Sequence, residues 1–264
     1  MLRKLLFPLL LTFLFLGCSQ TSTPSSSAKE KLVVGMATNY APIAFAVDGK
    51  PSGVEADFAY LLAKALNRDV QIKILPWAQL KMALETGIID IAMSGISITK
   101  KRSHFALFSE PYMEISQMAV MREGDSAPEI INQGKNSRIG YAFYTTGEAF
   151  VKDSFSKASI KGYTTTKQGI AAVMNKEIDY FFHDAPSVWY YTAELSLKGI
   201  MGWYVPYTQE HLAWAFNLQN SALRDDVNTI LKKWKSDGTT HRIINKWVRV
   251  QVVTPNGQKP ISFE

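Results

Sequence analysis

The sequence predicts an α/β protein of two lobes, and three observations carry that expectation. Strand and helix signals alternate from Lys31 onward, which favours βαβ units and a largely parallel sheet. The same alternation restarts near Ser137. Two extended apolar stretches, "ISQMAVMRE" and "EHLAWAFNL", fall where a chain would cross to a second lobe and come back.

The elements follow in order. "KLVVGMA" is a short β-branched run and "GVEADFAYLLAKALN" has apolar residues at helical spacing, with Glu55 and Asp57 near its start and Asn67 near its end. "VQIKILP" alternates as a strand does, "WAQLKMALETG" is a helix closed by Gly87, and "IIDIAMS" is a buried strand. In the second run "SRIGYAF" is a strand, "TGEAFVKDSF" and "TKQGIAAVMNKE" are helices, "IDYFFHD" is a strand and "APSVWYYTAELSL" a helix. "SALRDDVNTILKKWKSDG" and "THRIINKWV" read as helices returning to the first lobe. Expected boundaries are residues 31–118 plus 214–264 for the first lobe and 119–213 for the second. Ligands of such sheets bind beyond the carboxyl ends of the strands, here in a cleft between the lobes.

The N-terminus has another character. Arg3 and Lys4 precede an apolar run from Leu5 to Leu16, too short to span a membrane comfortably and suited to a signal peptide over residues 1–17. Gly17 stands before Cys18, the only cysteine. This resembles a bacterial lipoprotein processing site, which implies that Cys18 becomes an acylated N-terminus, although Phe15 stands where leucine is usual; the other reading is an ordinary signal peptide with an incidental cysteine. The Ser/Thr/Pro stretch that follows, to residue 30, has little to bury and reads as a flexible tether.

Composition narrows the function classes. Hydrophobic residues form 47% of the chain, enough for real cores and unlike a disordered protein. Removing Arg3 and Lys4 with the leader leaves 27 basic residues against 23 acidic ones, a net +4 spread without a basic run, so nucleic acid is not an expected partner. Four scattered histidines and one cysteine give no metal-ligand set, and no cofactor is expected. Nor does any arrangement resemble a nucleophilic triad.

The residues with the most legible chemistry are in "SGISITKKR", Ser94–Arg102, where a buried strand dissolves into small hydroxyls and a glycine beside an arginine. That is either a solvated helix start or a seat for a carboxylate, because a planar guanidinium gives two parallel charge-assisted hydrogen bonds. "TTG" at Thr145–Gly147 opens a helix, whose unpaired N–H groups suit an anion or an ordinary cap. Asp184, ending "IDYFFHD", is either a carboxylate for a cation or the cap of the next helix; His183 beside it reads as structural or surface. Tyr40 and Trp77 are either core or ligand-facing aromatics.

The ordered segments resemble the extracytoplasmic solute-binding proteins of ABC importers, the polar amino acid family, from Lys31 to about Val248. "LVVGMATNYAPIAF", "GVEADFAYLLAKAL", "GIIDIAMSGISITKKR" with "FSEPY", "GYAFYTTGEAF", "IDYFFHDAPSV" and "LKKWKSDGTTHRIINKW" carry it. The resemblance implies a two-lobed periplasmic-binding-protein-like (type II) fold and a monomer that closes on an amino acid and delivers it to an ABC permease, without catalysis. It further implies that Arg102, Ser97, Ser94, Gly95 and Thr146 receive the ligand carboxylate and Asp184 its ammonium. Tyr40 and Trp77 would then flank the side chain. Tyr144 departs from the glycine common in the family and adds a ring to the wall. Several relatives that take basic or amide side chains carry aspartate where this chain has Ala37, so specificity leans towards a neutral or aromatic amino acid. Glu55 either supplies a counter-charge across the cleft or merely favours its own helix start. Two other readings use the same fold. One is a cyclohexadienyl dehydratase-like enzyme with Glu148, Glu210 or Glu55 as general acid; the other is a ligand-sensing module.

Overall fold

A computed structural model describes residues 29–130, 132–193, 199–203 and 205–248. The expected leader, Cys18 and most of the tether lie outside the described residues. In the first sheet the strands run in the order Asp69–Ile74, Lys31–Met36, Ile91–Ser97, Glu210–Phe216 and Leu107–Phe108, with Met113–Ile115 also pairing to Glu210–Phe216. The three early strands are parallel to one another, and Glu210–Phe216 is antiparallel to its neighbours. The second sheet orders Ser159–Tyr163, Arg138–Ala142, Tyr180–Asp184, Gln117–Arg122 and Ile200–Gly202. Its first three strands are parallel and Gln117–Arg122 is antiparallel. A small antiparallel sheet, Asn39–Tyr40, Ala44–Val47 and Lys50–Ser52, follows the first strand.

Both stretches expected as connections are integral strands. Because Gln117–Arg122 pairs within the second sheet and Glu210–Phe216 within the first, the crossings fall at 115–117 and between 202 and 210. That is a few residues ahead of the expected breaks at 118/119 and 213/214. Each crossing strand is apolar because it lies inside a sheet: Gln117–Arg122 is buried over its first five residues and Glu210–Phe216 over its last five.

The first lobe's core sits between its sheet and the helices Val54–Ala65, Ser221–Ser236 and Thr239–Trp247. Phe58 is its centre, with ring centroids 5.3 Å from Trp214, 5.4 Å from Tyr112 and 6.0 Å from Trp234. Such ring pairs add about 0.5–1.5 kcal/mol each beyond buried area. In the second lobe Phe182 plays the same part, 5.0 Å from Phe155 and 5.2 Å from Tyr207. Strand carboxyl ends of both sheets face one another, and the residues just beyond them line the space between the lobes.

Candidate functional site

That space is a cleft of about 690 Å³. Eight of the ten residues expected at the ligand line it: Arg102, Ser97, Gly95, Tyr40 and Trp77 from the first lobe, and Thr146, Tyr144 and Asp184 from the second. Ser94 and Glu55 do not line it.

Arg102 belongs to the short helix Lys100–Ser103, capped by the Thr99 hydroxyl accepting from the Arg102 backbone N–H. Its Nη1 donates to the Ser97 carbonyl at 2.8 Å, and its guanidinium lies 5.2 Å from the centre of the Trp77 ring. Burial lowers its pKa against the opposing pull of Asp184 and Glu210. Two groups therefore hold the guanidinium plane, a carbonyl at one edge and an indole over its face. Trp77 opens the helix Trp77–Glu85 after Pro76, and its Nε1 donates across the cleft to the Tyr144 carbonyl at 3.1 Å.

Behind Gly95 the expectation of free donors fails. The Gly95 N–H donates to Glu55 Oε1 at 2.6 Å, so it is not offered to a ligand. Glu55 is fully buried and also accepts from the Tyr112 hydroxyl and Trp214 Nε1, each at 2.8 Å. Burial pushes its pKa up to about 7 in spite of these three donors. Glu55 is thus a brace inside the first lobe and supplies no counter-charge in the cleft. The glycine is required for another reason: its φ is +65°, and a Cβ there would stand 2.4 Å from the Tyr40 ring. Ser94 is spent similarly, its hydroxyl accepting from the Ala37 N–H at 3.0 Å and so pinning the end of the strand Lys31–Met36 to the middle of Ile91–Ser97.

On the second lobe, Thr145 caps the helix Thr146–Ser154 by accepting from the Glu148 N–H, which leaves the Thr146 N–H at the helix mouth. Tyr144 adopts φ +65°, a conformation that favours glycine, and its ring is 68% exposed at the cleft mouth. Glu148 Oε2 accepts from the Tyr144 N–H at 2.7 Å, and Lys152 pairs with Glu148. Burial raises the Glu148 pKa, but the bonds from Lys152 and Tyr144 outweigh it and hold the carboxyl low.

Asp184 ends its strand and precedes the helix Ala185–Thr192 without capping it through its side chain. It is buried, and burial with the charge of Glu210 raises its pKa to about 6 against the Tyr40 hydroxyl beside it, a bond from Gln117 and the charge of Arg102. His183 is no surface residue: it is buried and lines the cleft. Its Nδ1 accepts from the Asp184 N–H at 2.8 Å, which leaves the proton on Nε2 for Thr166 Oγ1 at 3.0 Å. Burial lowers its pKa to about 4, so the ring is neutral. Thr164, Thr165 and Thr166 also line the cleft and went unanticipated, because the preceding strand Ser159–Tyr163 gave no apolar alternation.

Two α/β lobes that turn their strand ends, a fixed guanidinium and a buried carboxylate onto one cleft define a two-lobed solute-binding protein of the type II periplasmic-binding fold. The chain belongs to the bacterial extracellular solute-binding proteins, family 3, whose model matches residues 32–250. It is similar to an arginine-binding periplasmic protein of Mannheimia haemolytica, 28% identical over 247 residues, covering 90% of this chain and 97% of that one. Among solved structures it is similar to an ancestral arginine-binding protein bound to arginine, with TM-score 0.77 and 26% identity over 83% of this chain and 98% of the other. It is also similar to an ancestral amino acid-binding protein described as a precursor of cyclohexadienyl dehydratase, with TM-score 0.76, 29% identity and coverage of 83% and 95%.

Proposed function

We propose that this protein is exported, captures a free amino acid between its lobes and delivers it to an ABC permease, acting as a monomer held to a membrane through acylated Cys18. One observation carries the binding reading: Arg102 and Asp184 line the same cleft from opposite lobes. They are the charges that a ligand carboxylate and ammonium require. Ser97 and the Thr146 N–H complete the carboxylate seat, and Tyr40 and Trp77 flank the side chain. The relatives' names, which include arginine-binding proteins, support an amino acid as the ligand class.

The ligand's side chain is uncharged in this reading. Among the described residues, Asp184 is the one carboxylate in the cleft lining; the rest of the wall includes threonines, Asn39, the neutral His183, the apolar Ile74 and Leu75, and the rings of Trp77, Phe143 and Tyr144. A dehydratase-like alternative loses its candidate acids, since neither Glu55 nor Glu210 lines the cleft and Glu148 is paired to Lys152.

A thermal-shift screen against the twenty amino acids tests the proposal, because a ligand that binds only the native state raises Tm. Shifts with neutral or aromatic amino acids support it. Shifts with arginine and lysine alone would overturn the side-chain assignment, and no shift at all would overturn amino acid binding. Arg102→Lys is expected to keep the fold and lose about 1.5–3 kcal/mol of affinity, roughly ten- to a hundredfold in Kd by calorimetry, since an ammonium cannot copy two parallel bonds.

A further inference from the structure

Asp184 is held by a cluster built from both lobe crossings. Gln117, at the first crossing, is fully buried and pairs in register with Asp184. Its Nε2 faces three acceptors: Asp184 Oδ1 at 2.5 Å, Glu210 Oε1 at 3.0 Å and Thr146 Oγ1 at 3.2 Å. Glu210 begins the returning strand, opposite Ile115. Thr208, on that same return, accepts from the Gln117 N–H at 2.9 Å and donates to Glu210 Oε1 at 3.0 Å.

An amide nitrogen carries two hydrogens, so three acceptors cannot all be served. Two further buried oxygens, Gln117 Oε1 and Glu210 Oε2, have no partner among the described residues. The Gln117 amide thus serves two carboxylates that approach one another and leaves Glu210 Oε2 unserved, while the buried Tyr40 hydroxyl beside Asp184 also has no settled partner among the described residues. Facing Asp184 from other elements are the Tyr40 hydroxyl, the Arg102 guanidinium and Glu210, with Tyr112 further off within its field; His183 beside it is neutral. Among the described residues, one cation, Arg102, therefore faces two carboxylates.

We propose that Glu210 is a positioning residue of the cation subsite: through Gln117 it fixes Asp184, and its charge makes Asp184 keep a proton until a ligand ammonium arrives and takes the proton's place. On arrival the Asp184 O–H bond breaks, the proton leaves to solvent, and an ammonium N–H donates to the freed carboxylate. Because Gln117 and Thr208 lie on the two crossings, the same event changes the bonding of the segments about which the lobes would move. The raised pKa of Asp184 agrees with this arrangement. The proton's displacement rests on the amino acid-binding reading; its presence beforehand does not.

The test has a ligand-free arm and a bound arm. Melting temperatures of the full chain are measured from pH 4.5 to 8, without ligand, for wild type, Glu210→Gln and Asp184→Asn. A carboxyl whose folded pKa lies above its unfolded one stabilises below the unfolded value and loses that contribution as pH rises through the folded one. Wild type should therefore fall behind both variants as pH rises through about 6, with Glu55 contributing equally to all three. Offsets that do not change with pH would mean that Glu210 only holds Gln117 and Thr208, and would overturn the proposal.

In the bound arm an equimolar mixture of L-amino acids, without the self-buffering histidine, is added in weak buffer at pH 6. Wild type should release about half a proton per bound chain, and Glu210→Gln markedly less. If the mixture raises Tm and no proton appears, this inference fails while amino acid binding stands. If the mixture leaves Tm unchanged, the binding reading fails and takes the displacement step with it, while the ligand-free curves still judge the proton on Asp184.

Discussion

Glu55 shows how far one buried residue can differ from its position in the sequence. An acid in the first turn of a helix is usually placed for the helix dipole, yet this side chain turns inward and collects Gly95, Tyr112 and Trp214 from three separate elements. Its folded pKa of about 7 exceeds the ordinary glutamate value, so its contribution to stability is full below about pH 4.3 and is lost as pH rises through about 7. Glu55→Gln should flatten that part of the stability–pH curve. It also sets an amide N–H against either Trp214 Nε1 or the Gly95 and Tyr112 donors, at a cost of about 1–3 kcal/mol that urea unfolding at pH 5 would read. A variant as pH-dependent as wild type would show that Glu55 is not the titrating group. Gly95 next to it tolerates no side chain, because the Tyr40 ring fills the space where a Cβ would stand. Gly95→Ala is expected to lose about 2–4 kcal/mol from left-handed strain and the clash together, measured by the same unfolding.

At the scale of elements, the loop from Ala142 into the helix Thr146–Ser154 concentrates the second lobe's share of the site. Tyr144 holds its unfavourable φ because Glu148 fixes its N–H while Trp77 fixes its carbonyl. Tyr144→Gly should keep both backbone bonds and change stability by less than about 1 kcal/mol, relief of strain offsetting greater freedom in the unfolded chain. Tyr144→Val should cost about 1–2 kcal/mol, since a β-branched residue is poorly accommodated at that φ. Thermal unfolding of the pair reads the contrast, and equal melting points would mean that the backbone is not strained. This loop was legible in the sequence, because a helix start with a cap and an exposed ring leave a local signature. Ser159–Tyr163 was not: as an edge strand with its first three residues exposed it carries no alternation, and the threonines after it went unseen. Gln117 and Glu210 were illegible for a different reason. Their meaning depends on partners 67 and 93 residues apart, which only the two crossings bring together. Burial misled the reading of Ser94 and Gly95, whose donors look free in a sequence and are consumed by Ala37 and Glu55 in the fold.

Across the whole molecule, the two lobes meet on both flanks of the cleft, and a hydrogen bond crosses at each flank. On one flank Trp77 Nε1 reaches the Tyr144 carbonyl, with Arg102 Nη2 3.5 Å from the same oxygen. On the other, the Ser187 hydroxyl donates to the Ala41 carbonyl at 2.6 Å, and Ala41 is buried within the second lobe's apolar cluster beside Val188 and Tyr191. Phe45 extends that contact, 6.2 Å from Tyr190, and is backed within its own lobe by Trp247 at 5.6 Å. Ser187 is fully buried and does not line the cleft, so it acts on the balance between open and closed lobes and not on the ligand itself. A ligand that needs the closed form loses affinity in proportion to the closed fraction. Ser187→Ala removes one interlobe bond worth about 1 kcal/mol, so Kd for whichever amino acid binds wild type should rise roughly fivefold. The radius of gyration of the ligand-free chain should increase by small-angle scattering, while urea unfolding of the lobes changes little. Unchanged scattering together with an unchanged Kd would place the closing force elsewhere, at the Trp77–Tyr144 flank, where Trp77→Phe keeps the ring and deletes the donor.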